Sequence, residues 1–172
     1  MDRFVSLVRL LSRISGVVAI LLILLSIIIV CQMIFQRAVL QQSTIWQTEF
    51  VIFALISATF IGAPYVLLTR GHVNVDLIPL IAGHRMRVAM ALLASTLALS
   101  FCAVLFWSSI FWWHEAFETN RLTSSMWRAR VWIPYLSLPV GMGLLCLQYI
   151  ADIWAIAAGR DMPFGLKPED RL

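Results

Sequence analysis

Two acidic side chains fall inside or beside apolar stretches and are the first candidates for chemistry. Glu49 follows Trp46 by three residues at the start of one stretch, and Asp152 lies near the end of another. Ionised groups in membrane spans are costly and are functional candidates by default. Glu49 could couple transport to a proton or cation, or it could anchor a helix contact near the membrane boundary. A lone carboxylate without polar neighbours makes a poor ion site, which favours the second interpretation.

Each carboxylate has candidate partners on its own side of the membrane. Those for Asp152 lie on the predicted cytoplasmic side: Arg70, His72, Arg85 and Arg87. Those for Glu49, besides another protein, lie on the opposite side: Arg37, Arg128 and Arg130. Glu49 and His72 cannot pair, because the helical rise over the residues between them separates the two by about 34 Å.

The remaining reactive side chains do not form a recognisable site. The histidines divide between opposite membrane faces, which argues against axial haem ligation within a helical bundle: His72, His84 and His114. The cysteines lack metal-ligand spacing and are expected to pack as small apolar residues: Cys31, Cys102 and Cys146. No nucleophile motif, glycine-rich phosphate loop or carboxylate pair stands in a plausible setting. We therefore expect no enzyme activity and no cofactor in this chain.

Composition indicates the class of protein that positions these groups. The chain has 172 residues, of which 61% are hydrophobic and 13% charged, and its mean hydropathy is +0.89. Soluble proteins carry about 25% charged residues, so a polytopic membrane protein is indicated. The net charge of +4 is spread over short connections without a basic cluster, which argues against nucleic-acid binding.

Four apolar stretches are long enough to cross the hydrocarbon core, which takes about 20 helical residues. They cover residues 14–35, 45–68, 88–113 and 133–157. The sequence therefore predicts an all-α integral membrane protein with one membrane domain over residues 1–172. An amphipathic segment at the N-terminus places Arg9 and Arg13 near phospholipid headgroups. Asp76 could cap a second interfacial helix between the second and third spans, and residues 159–172 form a tail.

Basic residues predict the orientation of these spans. Nine lie in the N-terminal segment, the connection between the second and third spans, and the tail, whereas four lie in the other two connections. The more basic side is cytoplasmic in membrane proteins. Both termini are therefore predicted to lie in the cytoplasm.

Small side chains recur every four residues in two spans. The second span carries Ala54, Ala58 and Gly62, and the third carries Ala94, Ala98 and Cys102. Rows of this kind allow helices to approach closely in membranes. The second and third spans are therefore predicted to pack on these rows.

Several motifs occur at the span boundaries. The first are Trp46-x-x-Glu49, Gly62-Ala63 and Arg70-Gly71-His72-Val73-x-Val75-Asp76-Leu77-x-Pro79. Farther on come Trp132-x-Pro134-Tyr135 and Pro139-x-Gly141. In this combination, and over essentially its whole length, the chain resembles the small membrane subunit of tripartite ATP-independent periplasmic (TRAP) transporters.

The resemblance implies a subunit of a multi-pass complex in the bacterial inner membrane. In that family a large multi-span subunit carries the substrate and sodium sites, and a soluble periplasmic protein delivers an organic acid. The small subunit is similar to a static brace, and a sodium gradient supplies the energy. Since this chain has four spans, the resemblance implies a separate large partner, and sodium is expected there.

Two groups of residues are candidate contacts in such a complex. The first comprises candidate subunit-interface or structural polar residues: Trp46, Glu49, Arg70, Gly71, His72, Asp76 and Asp152. The second could touch the periplasmic binding protein, or could anchor the fourth span at the membrane interface: Trp127, Arg128 and Arg130. The alternative functions are a stand-alone proton-coupled transporter and a membrane assembly factor.

Overall fold

The computed structural model describes residues 2–69 and 84–157, and within these residues the chain is helical apart from its connections. The helices are α1 (Asp2–Ala38), α2 (Trp46–Leu68), α3 (His84–Glu118), α4 (Trp132–Tyr135) and α5 (Ser137–Ala157). Four segments are long and apolar enough to cross a membrane: Phe4–Ala38, Trp46–Leu68, Val88–Glu118 and Trp132–Ile156. The predicted all-α membrane architecture with four spans is confirmed.

Several predictions fall outside the described residues. They concern the connection with Arg70, Gly71, His72 and Asp76, its interfacial helix, and the tail of residues 159–172. The cytoplasmic placement of both termini stays a prediction, as does the single domain.

The amphipathic N-terminal segment leads into the first span without a break. It forms the first turns of α1, which runs without interruption for 37 residues, or about 55 Å. No proline or glycine interrupts residues 2–15. Val8 and Ser12 are almost fully buried on one side of α1. The segment is therefore continuous with the first membrane helix, and one side of it packs against the bundle.

The fourth span is central to the bundle, because α5 contacts α1, α2 and α3. A Cβ added at Gly141 would collide with the backbone carbonyl of Phe60 in α2. A Cβ added at Gly143 would lie 3.0 Å from the Phe106 ring in α3. The two glycines therefore let α5 approach a different neighbour at each position.

A break at Leu136 separates α4 from α5. Pro139 has no N–H, so the carbonyl of Tyr135 lacks the hydrogen bond that a helix would normally supply. The Ser137 hydroxyl donates to the Pro134 carbonyl at 2.6 Å and satisfies one acceptor beside the break. The fourth span therefore enters the bundle through a local irregularity that its prolines impose.

The small-residue row of α2 is a packing surface. Ala54 and Ala58 are 5% and 4% exposed, and a Cβ added at Gly62 would lie 3.0 Å from the Cβ of Ala19 in α1. One turn further along α2, the Tyr65 ring covers Gly16 so closely that no side chain fits there. Close approach of α1 and α2 therefore depends on small residues in both helices.

The prediction that the second and third spans pack on their small-residue rows is wrong. In the described part of the chain, α2 packs against α1 and α5, whereas α3 packs against α5 and α4. Ala94 is exposed and Ala98 is half-buried, while Ala91 and Cys102 form part of the buried side of α3. The physical reason is that α5 contacts both helices and occupies the position that the prediction assigned to a direct contact.

Candidate functional site

A buried polar network joins α1 to α5. The Ser12 hydroxyl donates to Gln148 Oε1 at 2.7 Å, and Gln148 Nε2 donates to Asp152 Oδ1 at 2.9 Å. Gln148 is 0% exposed and Ser12 is 1% exposed. Because Gln148 and Asp152 are four residues apart on α5, they share one helix face. We call Ser12, Gln148 and Asp152 the inner network.

Sequence reasoning selected Asp152 but missed its two companions. The available signal was Gln148, a large amide one helical turn before Asp152 in an apolar span. Ser12 gave no comparable signal, because serines in membrane helices commonly bond to their own backbone. Ser15 does so here by donating to the Ser12 carbonyl at 2.8 Å.

The basic partners predicted for Asp152 have side chains that the structure does not describe. Arg70 and His72 lie outside the described residues, as do the side chains of Arg85 and Arg87. Pairing of Asp152 with any of them stays a prediction. The structure adds an amide donor from the same helix.

A second polar network surrounds Glu49 at the start of α2. Glu49 Oε2 accepts a hydrogen bond from the Thr123 hydroxyl at 3.3 Å. Thr123 Oγ1 lies 3.1 Å from the Ser125 hydroxyl and accepts the Ala129 N–H at 3.0 Å. Because Thr123 uses its one proton toward Glu49, the proton between the two hydroxyls belongs to Ser125. We call Glu49, Thr123 and Ser125 the outer network.

The connection between α3 and α4 folds into a compact hairpin that carries the outer network. Leu122 and Arg130 form an antiparallel bridge, and the Thr123 N–H donates to the Ala129 carbonyl at 2.9 Å. Asn120 and Arg128 have positive φ angles of 44° and 51°, which turn the chain at the hairpin. The sequence did not predict this ordered hairpin.

The hairpin brings Trp127 against Trp46, which the sequence placed together with Glu49 in a different group of candidates. The rings of Trp46 and Trp127 have centroids 6.4 Å apart, and Glu49 lies one turn beyond Trp46 on α2. Met126 at the tip is 84% exposed, and Arg128 and Arg130 are also exposed. The candidate contact residues therefore lie on a hairpin that packs on the start of α2.

Within the described residues, Glu49 is bonded to Thr123 rather than to one of the three arginines offered as partners. Among residues 2–69 and 84–157, the Thr123 hydroxyl donates the side-chain hydrogen bond to Glu49. Arg37 instead donates to Thr44, while Arg128 and Arg130 are exposed on the hairpin. Thr123 contacts the carboxylate because the hairpin bridge holds it against α2. Contact of Glu49 with another protein stays a prediction.

A third polar contact, also absent from the sequence-based candidates, joins α1 to the first turn of α2. Gln47 Nε2 donates to Gln36 Oε1 at 2.8 Å, and Gln47 is 3% exposed. In the part of the chain that the structure describes, Gln47 Oε1 has no hydrogen-bond partner. The pair fixes the connection between the first two spans beside the outer network.

The histidines and cysteines do not assemble into a metal centre in the described residues, where no group of three potential ligands converges. His114 lies 3.6 Å from Glu118 on the same exposed helix face. Cys31, Cys102 and Cys146 are free thiols at different depths.

Fold and sites together define a polytopic helical membrane protein with polar contacts between its elements. The sequence matches the family model of the DctQ component of tripartite ATP-independent periplasmic transporters over residues 26–159. The chain belongs to this family, which confirms the resemblance seen in its motifs. The family is one of transporter permease subunits rather than enzymes.

A curated relative is also similar in sequence. It is the C4-dicarboxylate TRAP transporter small permease protein DctQ of Vibrio cholerae serotype O1, which is 25% identical to this chain. The alignment covers 74% of this chain and 64% of the relative. The chain therefore spans somewhat less than two thirds of the length of the relative that it matches.

Proposed function

We propose that this chain is the small permease subunit of a TRAP transporter in the bacterial inner membrane, with both termini in the cytoplasm. It braces a large membrane subunit during sodium-driven uptake of an organic acid delivered by a periplasmic binding protein. The observation that carries the proposal is the family match over residues 26–159, together with four apolar helices of membrane-spanning length. The name of the Vibrio relative supports a carboxylic acid as the substrate class.

The described contacts suit a brace. Small residues bring α1, α2 and α5 close together, and the inner and outer networks join elements of this chain to one another. In this role Glu49 and Asp152 stabilise helix contacts, and the sodium and substrate sites belong to the large subunit. The proposal treats both carboxylates as structural groups.

The test is reconstitution of the chain alone, the large subunit alone, and both together in vesicles. Uptake is expected only with both subunits, the binding protein and an inward sodium gradient. A tagged copy of this chain is expected to co-purify the large subunit. Uptake by this chain alone, driven by a proton gradient and abolished by Glu49→Gln, would instead favour the stand-alone transporter.

The outward side of α3 is the proposed contact with the large subunit. In the most apolar 18-residue stretch of α3, only 11% of the stretch is buried within the described protein. The corresponding share in the fourth span is 39%. Several small or hydroxyl side chains are exposed along one side of α3: Ala89, Thr96, Ser100 and Ala103. Helix contacts in membranes are enriched in such residues, whereas lipid tolerates bulky aliphatic ones. These small residues, beside the exposed Leu93 and Trp107 of the same side, leave space for a neighbouring helix.

Ser100→Trp tests this contact, with Leu24→Trp as its matched control. Leu24 lies in the bulky aliphatic side of α1 and is 51% exposed. The Ser100 hydroxyl bonds within its own helix to the Thr96 carbonyl, so its loss alone should cost little. Ser100→Trp is expected to reduce co-purified large subunit about tenfold or more, the factor that corresponds to about 1.4 kcal/mol. Equal recovery with both variants would assign the contact to another helix.

The outer hairpin is the proposed contact with the periplasmic binding protein, through Trp127, Arg128 and Arg130. The hairpin is ordered by its own hydrogen bonds and exposes both guanidinium groups. Exposed charges chiefly change association rates and their salt dependence. Arg128→Glu with Arg130→Glu is expected to raise the binding-protein concentration needed for half-maximal uptake, at an unchanged maximal rate. Arg37→Glu is the control, and an equal effect of both changes would contradict the assignment.

A further inference from the structure

A partly open groove lies between the first turns of α1 and the last turns of α5. Its volume is about 450 Å³, and residues from both helices line it: Val5, Ser6, Arg9, Leu10, Arg13, Trp154 and Ala155. One wall therefore carries two guanidinium groups, and the other carries an indole ring. The sequence predicts Arg9 and Arg13 near phospholipid headgroups, and the structure brings them together with Trp154 of α5.

The groove lies beside a closely packed contact between α1 and α5. Val8 and Ser12 of α1 and Ala151 and Ala155 of α5 are buried within the bundle beside it. The hydrogen bond from Ser12 to Gln148 ties the two helices together at this level. Arg9 and Arg13 are one helical turn apart and so share a side of α1. The positions of the two walls are therefore set by the inner network.

The depth of the groove in the membrane follows from the charges on α1. Arg13 is the last charged residue before an uncharged stretch of residues 14–36. That stretch rises about 34 Å as a helix, enough to cross a hydrocarbon core of about 30 Å. Trp154, which is 45% exposed, lies on the opposite wall of the groove from Arg13. Tryptophan is enriched at membrane–water interfaces, so the groove lies at headgroup level.

The chemistry of the lining indicates what fits there. Guanidinium groups bind phosphate through paired N–H donors. Val5, Leu10 and Trp154 supply apolar surface beside the two arginines. A ligand that carries a negative phosphodiester next to hydrocarbon matches both parts of the lining. An inorganic phosphate ion would use only the arginines.

We propose that this groove binds the headgroup of an anionic phospholipid. Arg13 holds the phosphodiester, and the apolar lining contacts the glycerol backbone and the first acyl carbons. The bound lipid joins the start of α1 to the end of α5 and stabilises the bundle on this side. The site does not depend on the proposed transport role.

The test uses the full chain purified in a zwitterionic detergent, with binding of phosphatidylglycerol measured by native mass spectrometry and by thermal unfolding. Phosphatidylglycerol is expected to bind and to raise the unfolding temperature more than phosphatidylcholine does, because a ligand that binds the folded state stabilises it. Inorganic phosphate at the same concentration is expected to produce no comparable rise. Equal responses to the two lipids, or a full response to phosphate, would overturn the proposal.

Arg13→Gln is the principal variant, with Arg37→Gln at the other end of α1 as the control. One lost basic contact near a lipid surface corresponds to about a fivefold loss of affinity for phosphatidylglycerol. Arg13→Lys keeps the positive charge but not the paired N–H donors of the guanidinium group. Its affinity for phosphatidylglycerol is expected to lie between those of Arg13→Gln and Arg37→Gln. Arg13→Lys also keeps the test informative if Arg13→Gln does not fold. Equal losses with Arg37→Gln and Arg13→Gln would overturn the assignment to this groove.

The C-terminal residues are the competing occupant, since the tail carries Asp161, Glu169 and Asp170. The full-length variant Asp161→Asn/Glu169→Gln/Asp170→Asn separates the cases. If lipid fills the groove, this variant binds phosphatidylglycerol as the unmodified chain does. Preference for the anionic lipid that appears only after this change would assign the groove to the tail and overturn the proposal.

Discussion

The inner and outer networks each contain one carboxylate near one end of the bundle, but they differ in what they join. The inner network joins two long helices through Gln148, which is 0% exposed. The outer network joins a helix to a hairpin through Thr123, which is half-buried. A polar group deprived of its partner costs most where water cannot replace that partner. Loss of the inner network should therefore cost more stability than loss of the outer network, although both consist of short hydrogen-bond chains.

The difference also separates their expected roles. Loss of the inner network should loosen α1 from α5 and reduce the stability of the whole described bundle. Loss of the outer network should release the hairpin locally while the four long helices stay packed. Four substitutions test this comparison, from the largest expected effect to the smallest.

Gln148→Leu should cause the largest loss. It leaves the buried Ser12 hydroxyl without its acceptor and removes the amide that donates to Asp152. We expect the free energy of unfolding to fall by about 2 kcal/mol, the cost of unsatisfied buried polar groups. Denaturation of the purified chain in mixed micelles measures the change. Thr96→Val, at an exposed hydroxyl bonded to its own helix, is the control.

Ser12→Ala should cost less, about 1 kcal/mol, because Gln148 keeps its hydrogen bond to Asp152. Interhelical hydrogen bonds in membranes contribute at most about 1.7 kcal/mol in double-mutant cycles. The double variant Ser12→Ala/Gln148→Leu should be less destabilised than the sum of the single changes, since both remove the same bond. Additive losses in the same denaturation measurement would show that the two residues act separately.

Thr123→Val should affect the hairpin rather than the bundle. It removes the donor to Glu49 and the acceptor of the Ala129 N–H, so the hairpin should open more readily. We expect faster hydrogen exchange at the Ala129 amide by roughly fivefold, and a change in global stability below about 1 kcal/mol. Thr119→Val is the matched control, because that hydroxyl bonds the Glu115 carbonyl in its own turn. A global loss as large as that of Gln148→Leu would erase the difference between the networks.

Glu49→Gln should have the smallest effect on stability, within about 0.5 kcal/mol. The amide oxygen of glutamine can still accept from Thr123, so the contact survives without the charge. Uptake by the reconstituted complex should also be retained, because the proposed role of Glu49 is structural. Strong loss of uptake in a complex that assembles normally would instead assign the charge of Glu49 a part in coupling.

The candidate sites were predicted from the sequence only in part. Trp46, Glu49 and Asp152 stood out because polar or amphipathic groups at the ends of apolar stretches are visible in a linear sequence. Thr123 and Ser12 did not, since serine and threonine are common and their partners lie 74 and 136 positions away. The groove at Arg13 and Trp154 combines the two ends of the chain, so its lining is not a sequence motif.

The sequence by itself determined the four spans, the family, and the use of Ala54, Ala58 and Gly62 as a packing row. Hydrophobic length and residue size are local properties, and the membrane acts on each span separately. Only the tertiary structure decided which helices meet. Gly141 brings α5 against the backbone of α2, and Gly143 brings it against α3, so the second and third spans do not pair. Neighbour choice depends on the rotation and crossing of all helices at once, which no single stretch of sequence contains.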